Sequence, residues 1–413
     1  MTTFIHTPNL KLALACFLIL ALSGCATTSV KKTTPSPLVT NNATLPEELA
    51  LDVGIGVFDA GLDLVDEDDF AVFPDVRVAE ARYFPNLLMQ TMQRSGYWGA
   101  VRVMPEDLLN TDVLVKSTIL VSTGESLKLR VNVSDASGRE WYTRDYENVA
   151  SKFSYARSSK VKEPFQDVYN QIANDIAAYC NKFSKREVTN LRTISRLKFA
   201  QEFSPEAFGG HLQEDKKGHL KIVRLPAEND PMLTRIEKIR ERDYLFIDTM
   251  QDYYNAFETD MEVPYNEWRS QSYDEIVAYN ELRAAATRHK IAGVAAILGG
   301  IVAASSGSRS TRVGGQVGIY AGAELFKDGV GKKAESQIHL EAMDELGDSL
   351  SIDLSESVIE LDDNTYTLEG DVSTQYLQWK EILRELYIAE TGGVEARDDI
   401  NDLPLPETEI IKQ

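Results

Sequence analysis

VLVKSTILVSTGESLKLRVNVSDASGREWYTRDY, residues 113–146, decides how the sheet-forming part of this chain folds. Apolar residues recur in it with a period of two. Leu127, Leu129, Val131 and Val133 fall on one face of an extended segment, and Lys128, Arg130 and Asn132 on the other. That is the signature of a strand buried on one side. Val113, Val115, Ser117, Ile119 and Val121 carry the same alternation upstream. Ser134–Gly138 (SDASG) is a turn, and Glu140–Tyr146 returns as a hairpin strand.

Working outward, Leu51–Phe58 (LDVGIGVF) alternates as a strand, and an acidic loop with Asp63 and Asp66–Asp69 follows. Val76–Ser95 has helical spacing, with Gly96 as its stop and Pro85 either kinking it or marking its start. Ala100–Met104 is a short strand. The order β-α-β-β-β-β predicts a sandwich-like α/β domain over residues 49–150, a sheet backed by helices. This order resembles the small α/β modules of periplasmic proteins, such as the N-terminal domain of TolB and the curli-secretion lipoprotein. A likeness of element order implies no function.

Residues 151–290 read as a helical region. Residues 164–208 are helical, and 209–226 form a loop with a short strand at Leu220–Leu225. Asp230-Pro231 is an N-cap and N1 pair that opens a helix to about Glu258. Pro264 interrupts it, and Trp268–His289 resumes.

Residues 291–333 are expected to be a small-residue helical hairpin. Ile291–Ala304 (IAGVAAILGGIVAA) has no polar side chain, and Ala292, Ala296, Gly300 and Ala304 recur every fourth residue. After a loop, Gly314, Gly318 and Gly322 recur in the same way. Such stripes let two helix backbones approach closely. Glycine costs about 1 kcal/mol relative to alanine inside a helix, so three in register need a packing reason. Three readings stay open: packing inside the chain, self-association between chains, and partial insertion into a membrane. The 14 residues of the first arm rise only about 21 Å, against a hydrocarbon core of about 30 Å.

Residues 334–390 read as a helix, a β-hairpin and a further helix, giving a small C-terminal β-β-α unit, and 391–413 as an acidic tail. VIELDDNTYTLEGDVSTQYLQWKEIL, residues 358–383, resembles the strand-turn-strand-helix unit of BON-type envelope domains. The fold class is thus α+β.

The chain has 413 residues, with 43 Lys and Arg against 64 Asp and Glu, a formal net charge of −21. Phosphate backbones need a basic face, so no nucleic-acid partner is expected. His211, His219, His289 and His339 stand in no metal-ligand spacing, and His211 and His219 read as solvated loop residues. Gly54-Ile55-Gly56 lacks the third glycine and the following helix of a dinucleotide site. The acidic loop reads as solvated rather than as a calcium site. No cofactor, metal or catalytic residue is expected. Cys180 reads as a buried, inert thiol on a helix face.

The N-terminus carries an address. Lys11 is the only charge before Cys25, and Leu12–Leu22 is an unbroken apolar run of 11 residues. That is the length of a signal-peptide core rather than a membrane span. Leu22-Ser23-Gly24-Cys25 follows at once. The motif resembles the bacterial lipobox. The resemblance implies a signal peptide over 1–24, cleavage between Gly24 and Cys25, and acylation of Cys25. Residues 25–48, rich in Thr, Ser, Asn and Pro, read from composition as a flexible tether. Ala26 implies sorting to the outer membrane; a periplasm-facing protein is the expectation, with the face of the membrane not fixed by the motif. Together with RVAEARYFPNLL (77–88), GYWGAVRV (96–103) and the glycine-zipper-like hairpin, the lipobox makes the chain similar to an uncharacterised family of Gram-negative outer-membrane lipoproteins.

The expected function is a non-enzymatic binding or assembly module of the envelope, held to the membrane through lipid on Cys25 and able to self-associate through the hairpin. Its protein partner is not legible. A secretion or pore-complex accessory and an envelope hydrolase with an unrecognised site are the alternatives.

Overall fold

The computed structural model describes residues 35–64, 72–105, 111–155, 163–303, 357–361, 364–370 and 372–391. The signal segment with Gly24 and Cys25, most of the acidic loop, the second hairpin arm, the helix expected at 334–346 and the tail lie outside the described residues. So do Ala304, Gly314, Gly318 and Gly322.

The alternating segments form one five-stranded sheet, in the order β2-β1-β3-β4-β5. β1 (Val53–Gly56) is parallel to its neighbours β2 (Val101–Met104) and β3 (Val113–Ser122). β3, β4 (Ser126–Asp135) and β5 (Glu140–Val149) are an antiparallel meander. Parallel pairing of β1 and β2 needs a crossover, and α1 (Pro74–Ser95) supplies it. Leu127, Leu129, Val131 and Val133 are all fully buried beneath the helices. On the open face Arg130 makes two hydrogen bonds to Asp145, at 2.8 and 3.1 Å, and Asn132 donates to Thr143. The alternation of β3 breaks where its register shifts between Ile119 and Val121. Val121 is therefore only half-buried, and Ser122 turns inward to donate to Glu80 at 2.6 Å.

α1 begins at Pro74 and runs unbroken through the buried Pro85. Gly96 ends it with φ 69°, where a Cβ would lie 2.4 Å from the Asn41 carbonyl oxygen. Beside it lies α2 (Gln166–Cys180), which buries Val168, Tyr169, Ile172 and Ile176. Cys180 lies half-buried on it, and burial pushes its thiol up to about 11, well away from reactive thiolate character. The capping box Ser184/Glu187 then starts a new helix, α3 (Lys185–Phe203), dividing the expected 164–208 segment. After a short turn of helix at Pro205–Phe208 (α4), β6 (Leu212–Glu214) pairs with β7 (Leu220–Ile222), so the loop holds a hairpin rather than a single strand.

Part of the expected tether is docked. The amide of Ser36 donates to Asp167 at 3.1 Å and that of Val39 to Asn174 at 2.8 Å. Asn170 and Asn174 donate back to the carbonyls of Ser36 and Pro37. These three side chains stand on successive turns of α2 and satisfy the backbone of 36–39, while Leu38 packs against the core. A polar composition suggested free coil, but the chain is bound from Ser36 onward.

Pro264 does not interrupt the helix that Pro231 opens. α5 (Pro231–Ala303) passes through it as one helix of 73 residues, a rise of roughly 110 Å. A proline inside a helix costs about 3 kcal/mol. Packing on both sides offsets this: Met261, Tyr265 and Trp268 are buried, Tyr265 meets Tyr83 edge-on at 5.3 Å, and Trp268 meets Phe73 at 5.6 Å. Pro264 itself is half-buried. Pro264→Ala restores a helix hydrogen bond and removes the ring clash, against a loss of about 0.4–1 kcal/mol from the freer unfolded chain. Net stabilisation of about 2 kcal/mol is expected, read as a raised urea midpoint at constant slope. A lowered midpoint would show that the ring's own packing holds the helix.

α5 also closes one edge of the sheet. Gln251 receives the amide of Val103 at 2.7 Å and donates to its carbonyl at 2.9 Å, as a neighbouring strand would. Arg102 grips Asp248 through two hydrogen bonds, at 2.5 and 3.0 Å. Farther along, Tyr265 donates to the fully buried Glu80, and Arg269 pairs with Glu163. Burial raises the pKa of the Glu80 carboxyl.

At the C-terminal end, β8 (Ser357–Leu361) pairs with β9 (Asn364–Leu368), and α6 (Val372–Thr391) packs on α5 with Trp379 stacked on Phe246 at 5.1 Å. The hydrophobic core runs continuously from Leu51 to Tyr387, so the helical region and the sheet share it. Among the described residues no helix is long and apolar enough to cross a membrane.

Candidate functional site

A charged cleft of about 510 Å³ opens where α3 and α5 face the strand ends that carry Asp52 and Asp112. The parallel β1–β3 pair sets its floor. Asp52 and Asp112 immediately precede these strands, and the amide of Asp52 donates to Asp112 at 2.9 Å. Asp52 in turn accepts from the amide of Ala100 at 2.8 Å. Asp112 is almost fully buried, and burial raises its pKa against the pull of the Asp52 amide.

The walls come from two helices. On α3, Arg192 and Arg196 stand one turn apart, with Thr189 and Thr193 beside them. Arg192 donates to the carbonyl of Glu47 and lies 3.8 Å from Asp112. Arg196 pairs with Glu237 of α5. Arg240 of α5 donates to Ser195 at 2.9 Å and to the hydroxyl of Tyr244 at 2.7 Å. The Tyr244 ring carries the Arg102 guanidinium at 4.6 Å. Burial, and the nearness of Arg240 and Arg192, lower the pKa of Arg196. Three guanidiniums are thus held close together, with Glu47, Glu48 and Glu241 at the rim.

The chemistry these groups offer is ion pairing and hydrogen bonding to a polar ligand. The lining carries the hydroxyls of Thr189, Thr193 and Tyr244 and the carboxylates of Asp52 and Asp112, and no histidine, cysteine or serine. Among the described residues no group of three or more His, Cys, Asp or Glu side chains is placed to hold a metal ion.

The residues singled out from sequence lie elsewhere. Ala292, Ala296 and Gly300 belong to the last turns of α5, at a four-residue repeat along one side of its backbone. The first arm expected for the hairpin is thus a continuation of the preceding helix and not a separate element. His211 corrects the expectation of a solvated ring: it is buried, with Nδ1 3.0 Å from the Arg224 carbonyl and its ring against Phe208. His219 is half-buried beside Asp215. The cleft was missed because its groups are scattered over residues 47–244. The one local signal was the four-residue spacing of Arg192 and Arg196 on one helix, repeated by Arg240 and Tyr244 on another.

No family model, curated protein or solved structure matches the chain.

Proposed function

We propose that this chain is a lipid-anchored envelope protein that works as a non-enzymatic binding or assembly module. Lipid on Cys25 holds it to the outer membrane on the periplasmic side. Its α/β body offers the charged cleft for recognition, and the segment 291–333 joins copies of the chain. The observation that carries this reading is the continuity of α5. One helix is locked to the sheet edge by Gln251 and Arg102–Asp248, and to the core by Arg269–Glu163, and it runs on into the apolar Ile291–Ala303 run. A unit joined at 291–333 would therefore carry the body rigidly with it. The same arrangement serves a secretion or pore-complex accessory, which differs in partner and not in anchoring.

The test is made in a Gram-negative host. Wild-type protein should take up labelled palmitate and fractionate with the outer membrane. Cys25→Ser should leave an unlabelled, uncleaved precursor. Cross-linking of the wild type in membranes should trap a homo-oligomer that Gly318→Leu abolishes, because the larger side chain parts backbones that must touch. Normal processing of Cys25→Ser would sink the anchoring, and a wild type that never cross-links to itself would sink the assembly role.

A further inference from the structure

The C-terminal helix α6 seats on α5 over a carboxylate that the fold leaves half-satisfied. Asp243 is 2% exposed there. Its Oδ2 accepts one long hydrogen bond, 3.3 Å, from the Tyr376 hydroxyl of α6, and its Oδ1 has no partner. The indole nitrogen of Trp379, on the next turn of α6, is buried without a partner as well. A buried ionised carboxylate needs a cation or several donors, and one weak hydroxyl is neither.

The charged and titratable groups that face Asp243 come from three helices. α6 supplies Tyr376 and Lys380, α3 supplies Glu202, and α5 itself supplies Arg240. Lys380 is paired with Glu202, and Arg240 is engaged by Ser195 and Tyr244. Farther along the same interface Arg242 meets Glu390 at 3.1 Å. The apolar part of the seat, Phe246 against Trp379 and Phe203 against Tyr387, is indifferent to pH.

We propose that the docking of α6 on α5 is a proton-operated latch, closed when the Asp243 carboxyl is neutral and loosened when it ionises. Burial pushes this carboxyl up to about 7, against the hydrogen bond of Tyr376 and the attraction of Lys380 and Arg240, while Glu202 adds to the rise. Undocked and solvated, an aspartate titrates near 4. The docked state therefore holds a proton that the undocked state releases between about pH 4 and pH 7. The sign follows: docking tightens as pH falls through 7, by about tenfold for each unit, and gains nothing more once both states are protonated. Above pH 7 the apolar contacts and the Lys380–Glu202 and Arg242–Glu390 ion pairs hold α6 without help from Asp243.

Hydrogen exchange on the full chain reads this directly. Protection factors of the α6 amides, corrected for the intrinsic rate, should be about tenfold higher at pH 6 than at pH 8. Those of β4 should rise less. In Asp243→Asn the α6 amides should be strongly protected at both pH values, with the pH response gone. Asp243→Ser, smaller and also neutral, should behave alike. A flat wild-type response overturns the latch without any variant. So does a response that persists in Asp243→Asn, which would assign it to another group. Loss of α6 protection in both neutral variants overturns it as well, since a neutral side chain must close the latch.

Discussion

Arg269→Ala is expected to destabilise the protein by about 3–5 kcal/mol, the range for breaking a buried ion pair from one side. Arg269 is fully buried on α5. It donates to both Glu163 oxygens, at 3.0 and 2.8 Å, and to Asn266 at 2.7 Å. Its guanidinium lies 4.2 Å from the Tyr265 ring centre and 5.4 Å from that of Phe165. The pairing keeps Arg269 charged despite burial, which by itself would lower its pKa. Removing it leaves Glu163, almost fully buried, with an uncompensated charge, and takes the cation away from two aromatic rings. Replacing both partners by apolar groups, Glu163→Leu with Arg269→Met, should restore most of the loss, because no charge is then left unpaired. Urea unfolding with a constant slope measures both. Arg130→Ala is the control: Arg130 pairs as neatly with Asp145, but on the open face of the sheet, and its loss should barely move the midpoint. A similar loss at both sites would mean that burial is not what gives Arg269 its weight.

Gly124→Ala should cost about 3 kcal/mol, the upper end of ordinary overpacking. Gly124 lies in the β3–β4 turn, where a Cβ would meet the Arg269 carbonyl oxygen at 2.3 Å, the Ser272 hydroxyl at 3.0 Å and the Tyr273 amide at 3.1 Å. Two of these three atoms, the nearest included, are backbone of α5, so turning the Ser272 hydroxyl aside does not relieve the clash. The turn or the helix must move, and Arg269 moves with it. The two substitutions therefore share one contact, and their double variant should lose less than the sum of the singles. Full additivity would show that the turn and the ion pair act independently.

Much of this architecture was legible residue by residue. The alternation of Leu127–Val133 put the right side chains beneath the helices, and Gly96 ended α1 where its freedom of φ was needed. Asp230-Pro231 opened α5, with Asp230 accepting from the amide of Met232 at 2.9 Å. These signals are local: a strand's period of two, a helix's cap and a turn's glycine act within a few residues. The failures were local readings overruled from a distance. Val121 left the core where the register of β3 shifts, and Ser122 there reaches Glu80, 42 residues away.

The sequence by itself determined the strands of the five-stranded sheet, their order along the chain and the buried face of β4, because periodicity sets which side of an extended segment is apolar. Only the tertiary structure decided that α5 survives Pro264, that residues 36–39 are bound rather than free, and that Asp52, Asp112, Arg192, Arg196 and Arg240 share one cleft. Each of those outcomes rests on groups far apart along the chain, such as Gln251 with Val103 across 148 residues and Arg269 with Glu163 across 106. Contacts of that separation leave no period in the sequence. They exist only once the core has formed and burial has made each unpaired polar group costly enough to choose its partner.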